Sequence, residues 1–127
     1  DLSAITGRSL FSRVREVVAF KTGSTGVVTH DCSTGHIFYH SGATGNWTAN
    51  FTNLSLDASY AVNLTLVVTQ SSTAYLPTAV QIEGAAQTLN WISNATPAGT
   101  VNRKDIISFS IINSGSNYIV FGQVASY

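Results

Sequence analysis

The chain has 127 residues, of which 9% are charged, and its six basic and six acidic side chains cancel to a formal net charge of zero. An average soluble protein carries roughly 25% charged residues, and a neutral chain lacks the basic footprint that nucleic acid requires. Nucleic acid is excluded as an expected partner. A membrane-spanning segment is excluded too, since no apolar run approaches ~18 residues.

The length fits one domain, and 44% hydrophobic residues are enough to fill a sandwich core. Ser, Thr and Asn contribute 40 residues, so the surface is polar without being charged and has little repulsion to hold copies apart. The single cysteine, Cys32, leaves no intrachain disulfide framework. There is no methionine, even at position 1, and the chain is expected to be processed or a piece of a larger product. Residues 1–22 lack the apolar stretch and cleavage site of a signal peptide.

Asp1–Ser12 follows no clear period and reads as an extended arm before a domain over residues 13–127. Its Arg8, with Arg13 and Arg15 just beyond it, offers a means of docking on an acidic neighbour, although a solvated face explains them as well. Val14–Phe20 fits a helical stripe through Val14, Val17, Val18 and Lys21, but its β-branched valines and Phe20 favour a strand. Gly26–Asp31 and His36–His40 follow as strands. Ser41–Gly45 separates them from a further strand at Asn46–Phe51.

His30, Cys32, His36 and His40 fall within eleven residues and are all zinc-type ligands. The strand reading opposes a metal site. With Ser33 and Thr34 at a hairpin tip, Asp31 faces His36, His30 faces Ile37 and Val27 faces His40. His30 and Cys32 then lie on one sheet face, with His36 and His40 on the other and ~13 Å apart along their strand. Zinc holds its ligands at ~2.0–2.3 Å, so one chain is not expected to gather all four. The expected arrangement is a hairpin with partly exposed histidines and an Asp31–His36 cross-strand pair.

The clearest period-two segment is Tyr60–Thr69, where Val62, Leu64, Leu66 and Val68 alternate with mostly polar residues. Successive strand residues point to opposite faces, so these four belong inside. Ala74–Glu83 contains Pro77, which cannot donate to a ladder and marks an edge or an interruption. Thr88–Ile92, Asp105–Asn113 (with Ile107, Phe109 and Ile111 inward) and Tyr118–Ala125 complete about nine short strands. Separators rich in Gly, Ser, Thr and Asn occur at Thr22–Gly26, Ser93–Gly99 and Ser114–Asn117. The fold class expected is all-β: an antiparallel, jelly-roll-like β-sandwich.

Chemistry is thinly signalled. No G-x-S-x-G elbow is present, no two carboxylates sit close in sequence as a glycosidase pair might, and Gly23-Ser24-Thr25-Gly26 lacks the Lys-Ser/Thr of a P-loop. No catalytic, cofactor-binding or metal-ligating residue is assigned, and no cofactor is expected. N-x-S/T sequons begin at Asn46, Asn50, Asn53, Asn63 and Asn94; an Asn/Thr-rich strand composition produces them readily. Trp47 and Trp91 suit either a sugar-stacking platform or, more simply, the sandwich core.

From Gly45 onward the runs GNWTANF, YAVNLTLVVTQSSTAYLPTAVQIEGAAQTLNWISNATPAG, RKDIISFSIIN and YIVFGQVASY occur in order. They follow REVVAFKTGSTGVVTHDCSTGHIFYHSGATGNW. The succession is a strand, T-A-Y with a nearby proline, I-x-G, a tryptophan strand, and Asp opening a strand of Ile, Ser and Phe. Residues 15–127 thus resemble a β-rich module of virion structural proteins from marine tailed phages, cyanophages especially. The Asn46–Asn63 region and the Cys/His cluster depart from that pattern. The resemblance implies a virion surface protein (fibre, spike-like appendage or head decoration) and carries over no catalytic residue.

The expectation for function is a non-enzymatic virion structural module at the particle surface. Its expected partners are other copies of itself, most simply as a trimer, and a major capsid protein or a tail or fibre protein. One alternative is a fibre tip binding a host-surface glycan, which needs an exposed aromatic cluster beside Asn or Asp side chains at one end of the sandwich; another is a secreted, glycosylated adhesion domain.

Overall fold

The computed structural model describes residues 12–127. The arm expected over Asp1–Ser12 falls, except for Ser12, outside the described residues.

Ten strands follow in chain order: β1 (Val18–Thr22), β2 (Gly26–Asp31), β3 (Ile37–Ser41), β4 (Trp47–Thr52), β5 (Ala61–Thr69), β6 (Pro77–Ile82), β7 (Ala85–Gln87), β8 (Leu89–Trp91), β9 (Lys104–Asn113) and β10 (Tyr118–Ser126). Among the described residues the only helical turn is a 3-10 turn at Ile92–Asn94. The strands form a six-stranded sheet, ordered β1-β3-β5-β9-β10-β8, and a four-stranded sheet, ordered β2-β4-β6-β7. The domain is an all-β sandwich, as its alternating segments predict.

The pairing is not the antiparallel one expected. β1, β3 and β5 run parallel side by side in the larger sheet, and β2, β4 and β6 run parallel in the smaller. The first six strands therefore alternate between sheets, and the chain coils around the core. Antiparallel pairs come later, at β5–β9, β9–β10 and β6–β7, while β8 lies parallel to β10. The cause is in the connections. Each short loop from β1 to β6 crosses between two layers about 10 Å apart instead of turning back within one sheet. The extra strand, β7, is a three-residue piece that turns back onto β6 directly after it.

Alternation decides which side chains are inside. Leu64, Leu66, Val68, Ile107, Phe109 and Ile111 are fully buried, whereas Val62, at the start of β5, is only half-buried. From the opposite sheet come Trp47, Ala49, Phe51, Val80 and Ile82. Each large aliphatic or aromatic side chain removed from water contributes about 1.5–3 kcal/mol before entropy is counted. Pro77 opens β6 opposite Trp47, beside a register shift in β4, so its missing N–H falls at a strand start. Gly122 in β10 serves a close approach: a Cβ there would stand 2.6 Å from the Trp91 ring. Trp91 thereby covers Phe109 at the sandwich margin, with ring centroids 6.1 Å apart.

Candidate functional site

The histidine segment is arranged differently from the expected hairpin. β2 and β3 do not pair; they belong to opposite sheets. Their inward histidines meet across the interior, with His30 Nε2 and His40 Nε2 3.0 Å apart. His40 Nδ1 lies 2.7 Å from Ser24 Oγ. Ser24 sits in the tight loop joining β1 to β2, between Gly23 (φ 68°) and Gly26 (φ 64°). His30 and His40 are 0% exposed and Ser24 only 3%, which corrects the expectation of partly exposed histidines.

An aromatic cage surrounds the pair. Trp47 stacks on His40 at 5.1 Å between centroids. Phe38 meets His30 edge-on at 4.8 Å, and Phe51 lies tilted against it at 5.2 Å. His30 Nδ1 has no hydrogen-bond partner. The carbonyls of Asn50 and Val28 face this ring and favour its charged form, but neither reaches Nδ1 with hydrogen-bond geometry. While both rings are neutral, one proton lies between the two Nε2 atoms; with Ser24 as donor to His40 Nδ1 and His40 Nε2–H as donor to His30 Nε2, the Nδ1–H of His30 is the group left without a partner.

Burial dominates the electrostatics. Loss of water holds His30 down to about 3, helped by repulsion from His40 and Lys21. Burial first, then Lys21, holds His40 down to about 4. Both rings are neutral at pH 7. Ser–His–His resembles the start of a nucleophilic relay, but Ser24 is closed off from solvent and no carboxylate backs the second ring. Of the other two members of the cluster, Cys32 faces the interior beyond His30 on β2 and donates weakly to the His30 carbonyl at 3.7 Å. Burial pushes its thiol up to about 12, away from nucleophilic use. His36 lies in the loop before β3 and lines a shallow cleft with Cys32 and Glu16. Among the described residues no three His, Cys, Asp or Glu side chains converge on a point that could hold a metal. The expected Asp31–His36 pair is replaced by bonds to Asp31 from Ser33 and Asn53.

The aromatic platform is also not assembled. Trp47 is 2% exposed, and Trp91 is half-buried against the core. A cleft of about 430 Å³ runs past Asn46, Thr73, Thr78, Pro97 and Val101 and has no titratable side chain in its lining. Of the sequon asparagines, Asn50 is buried and accepts the Gly84 N–H. Asn63 is exposed on the outside of β5, where it accepts from Ser110.

The outer face of the six-stranded sheet is the most distinctive surface. One row, beside the Thr69–Lys104 margin, runs Phe20, Tyr39, Val67, Ile106 and Ala125 across five strands. Phe20 (75% exposed), Phe121 (48%), Ile112 (38%) and Ile119 (37%) also project there. Among the strand residues on this face, Lys104 at one margin is the only charged side chain. The outer face of the four-stranded sheet is mostly polar, with Thr29, Asp31, Thr48, Asn50, Thr52 and Gln81 along it beside an exposed Val27 and Ala79. No local pattern of the sequence marks the apolar row of the larger sheet, because the row exists only once β1 and β3 are placed beside β5.

No family model matches the chain, and no curated protein and no solved structure shows significant similarity to it.

Proposed function

We propose that the domain is a non-enzymatic structural module that packs against copies of itself at the surface of a virion. The observation that carries the self-association is the outer face of the six-stranded sheet: broad, half apolar, and bearing Lys104 as its only charge. Sheets pack readily face to face. At ~3.3 Å by ~4.8 Å per strand residue, this face projects on the order of 600 Å², near the ~800 Å² per partner of a standard interface. A second copy is the occupant that best suits it, since a face whose strands carry one charge, at the margin, meets its own copy with little repulsion. Face-to-face packing of two copies closes as a twofold dimer, whereas the expected trimer would turn three such faces toward a common axis; either buries the face without open-ended growth. The virion setting, with a capsid, tail or fibre protein as further partner, is supported by the sequence resemblance over residues 15–127. The glycan-binding alternative is less supported because Trp47 is enclosed.

Light scattering of the chain at micromolar concentration tests the proposal. A closed oligomer is expected, and Ile106→Lys, on the central strand pair of the face, should convert it to a folded monomer with unchanged circular dichroism. A wild-type monomer, or an oligomer indifferent to Ile106→Lys, would overturn the assignment of this face.

A further inference from the structure

We infer that the contact between His30 and His40 is an acid-operated latch between the two sheets, releasing the β2–β3 end of the sandwich when its rings take up protons. This inference does not depend on self-association. It starts from connectivity. β2 is an edge strand of the four-stranded sheet and β3 lies one strand in from the edge of the six-stranded sheet. The 3.0 Å bond between their histidines ties the layers at this end.

The chain of hydrogen bonds tolerates one proton but not two. If His40 gains a proton on Nδ1, the Ser24 hydroxyl can rotate to accept from it, while His40 Nε2–H still donates to His30 Nε2. A second proton would go on His30 Nε2. Two N–H groups would then face each other across 3.0 Å, and the contact must open. The Asn50 and Val28 carbonyls favour a charged His30, but burial, His40 and Lys21 outweigh them. On β1, the side chain that faces the pair is Lys21, itself cationic. On β2, the Asp31 carboxylate belongs to the outward set and is engaged by Ser33 and Asn53, and Cys32 is a neutral thiol. From β4 come Trp47 and Phe51, and from β5 Leu66 and Val68, none of which titrates in this range. Tyr39 of β3 belongs to the outer face. Asp105 stands in the same row as His40 with Val68 between them, its oxygens taken by Gln70, Thr100 and Ser126. The stacked face of Trp47 is the one contact that favours a charged His40. Opening therefore hydrates both rings, and acid favours the open form.

Cys32 supplies a built-in reporter, being the only cysteine, buried, and two residues from His30. The test is its rate of reaction with dithiodipyridine, a thiol reagent that works in acid, normalised to a cysteine peptide at each pH. Between pH 7.5 and 4.5 each histidine that stays neutral only in the closed form raises the opening constant by somewhat under a hundredfold. The expected acceleration is at least a hundredfold in the wild type, and it should be lost in His30→Gln/His40→Gln. No acceleration, or equal acceleration in the double variant, would overturn the latch. Should the double variant fail to fold, imidazole resonances of the wild type decide. Rings still neutral at pH 5 in the closed protein support the latch; two charged rings with Cys32 still protected overturn it.

Discussion

The sandwich buries two polar centres, and they are built on opposite principles. Near the β9 start, Asp105 is 0% exposed, yet its carboxylate accepts from Gln70 Nε2 (2.9 Å), the Thr100 N–H (2.9 Å) and Ser126 Oγ (2.5 Å). Gln70 in turn donates to the Tyr75 carbonyl and accepts the Tyr75 N–H. One charge thus pins the end of β5, the loop before β6, the loop before β9 and the C-terminal strand. Across the same sheet, Ser24, His40 and His30 form a neutral chain that ends on an unpartnered nitrogen. The difference shows what a buried polar group needs: a satisfied acceptor holds its surroundings together, whereas an incomplete donor chain is stable only while uncharged.

The largest expected effect separates the two centres by pH. Both histidine values are lowered from 6.5, to about 3 and about 4, so the unfolded chain binds protons before the folded one does. Their neutral burial leaves stability undiminished above about pH 6.5, and stability is lost as pH falls from there toward 4 and then 3. By pH 4.5 the loss from the pair is on the order of 5 kcal/mol, readable as a falling urea midpoint. A midpoint that holds steady from pH 7 to 5 would remove the contrast.

Next in size is Asp105→Ala. It strands the Thr100 N–H and weakens the hold on Gln70 and Ser126, for an expected loss of about 3–4 kcal/mol. Asp105→Asn, which keeps one accepting oxygen, should lose distinctly less. Equal losses in the two variants, measured by urea unfolding at pH 7.5, would mean that packing rather than accepted hydrogen bonds sustains this centre. Smallest is Ser24→Ala, which deletes the first donor of the histidine chain and should lower stability by about 1 kcal/mol at pH 7.5. It should also steepen the acid loss, because a charged His40 would then have no hydroxyl to accept its Nδ1 proton.

Much of this core was legible in the sequence, and the limit of that legibility is instructive. Strict alternation in β5 and β9 predicts the inward set almost to the residue, Val62 near the start of β5 being only half-buried. The same alternation misled over His30–His40. Period two says which side chains share a face of their own strand; it does not say which sheet the next strand joins. The short Cys32–His36 link looks like a hairpin loop, and it is long enough to cross from one layer to the other. His30 and His40 therefore have the parity that alternation predicts and a neighbour that it does not. Asp105 was recognised as the start of a strand, but its partners lie at Gln70, Thr100 and Ser126, and no local pattern joins those positions. The apolar row on the outer sheet was hidden for the same reason, being assembled from strands that are far apart in sequence.

The coiled path of the first six strands also bears on how fast the molecule folds. Val18 pairs with Ile37, Ile37 with Thr65, and Gly26 with Trp47, so none of these ladders begins from a tight turn. Each must close a full excursion through the opposite layer before its first bond forms, and loop closure precedes any gain. Among the described residues two hairpins can zip locally: the short β6–β7 one, where Ile82 meets Ala85, and the longer one of β9 and β10, whose short turn lets Asn113 meet Tyr118. The longer hairpin is the natural nucleus, with β5 added to it and the coil wound on afterward. Refolding in the millisecond-to-second range of chains dominated by distant pairings is the kinetic signature of such a path.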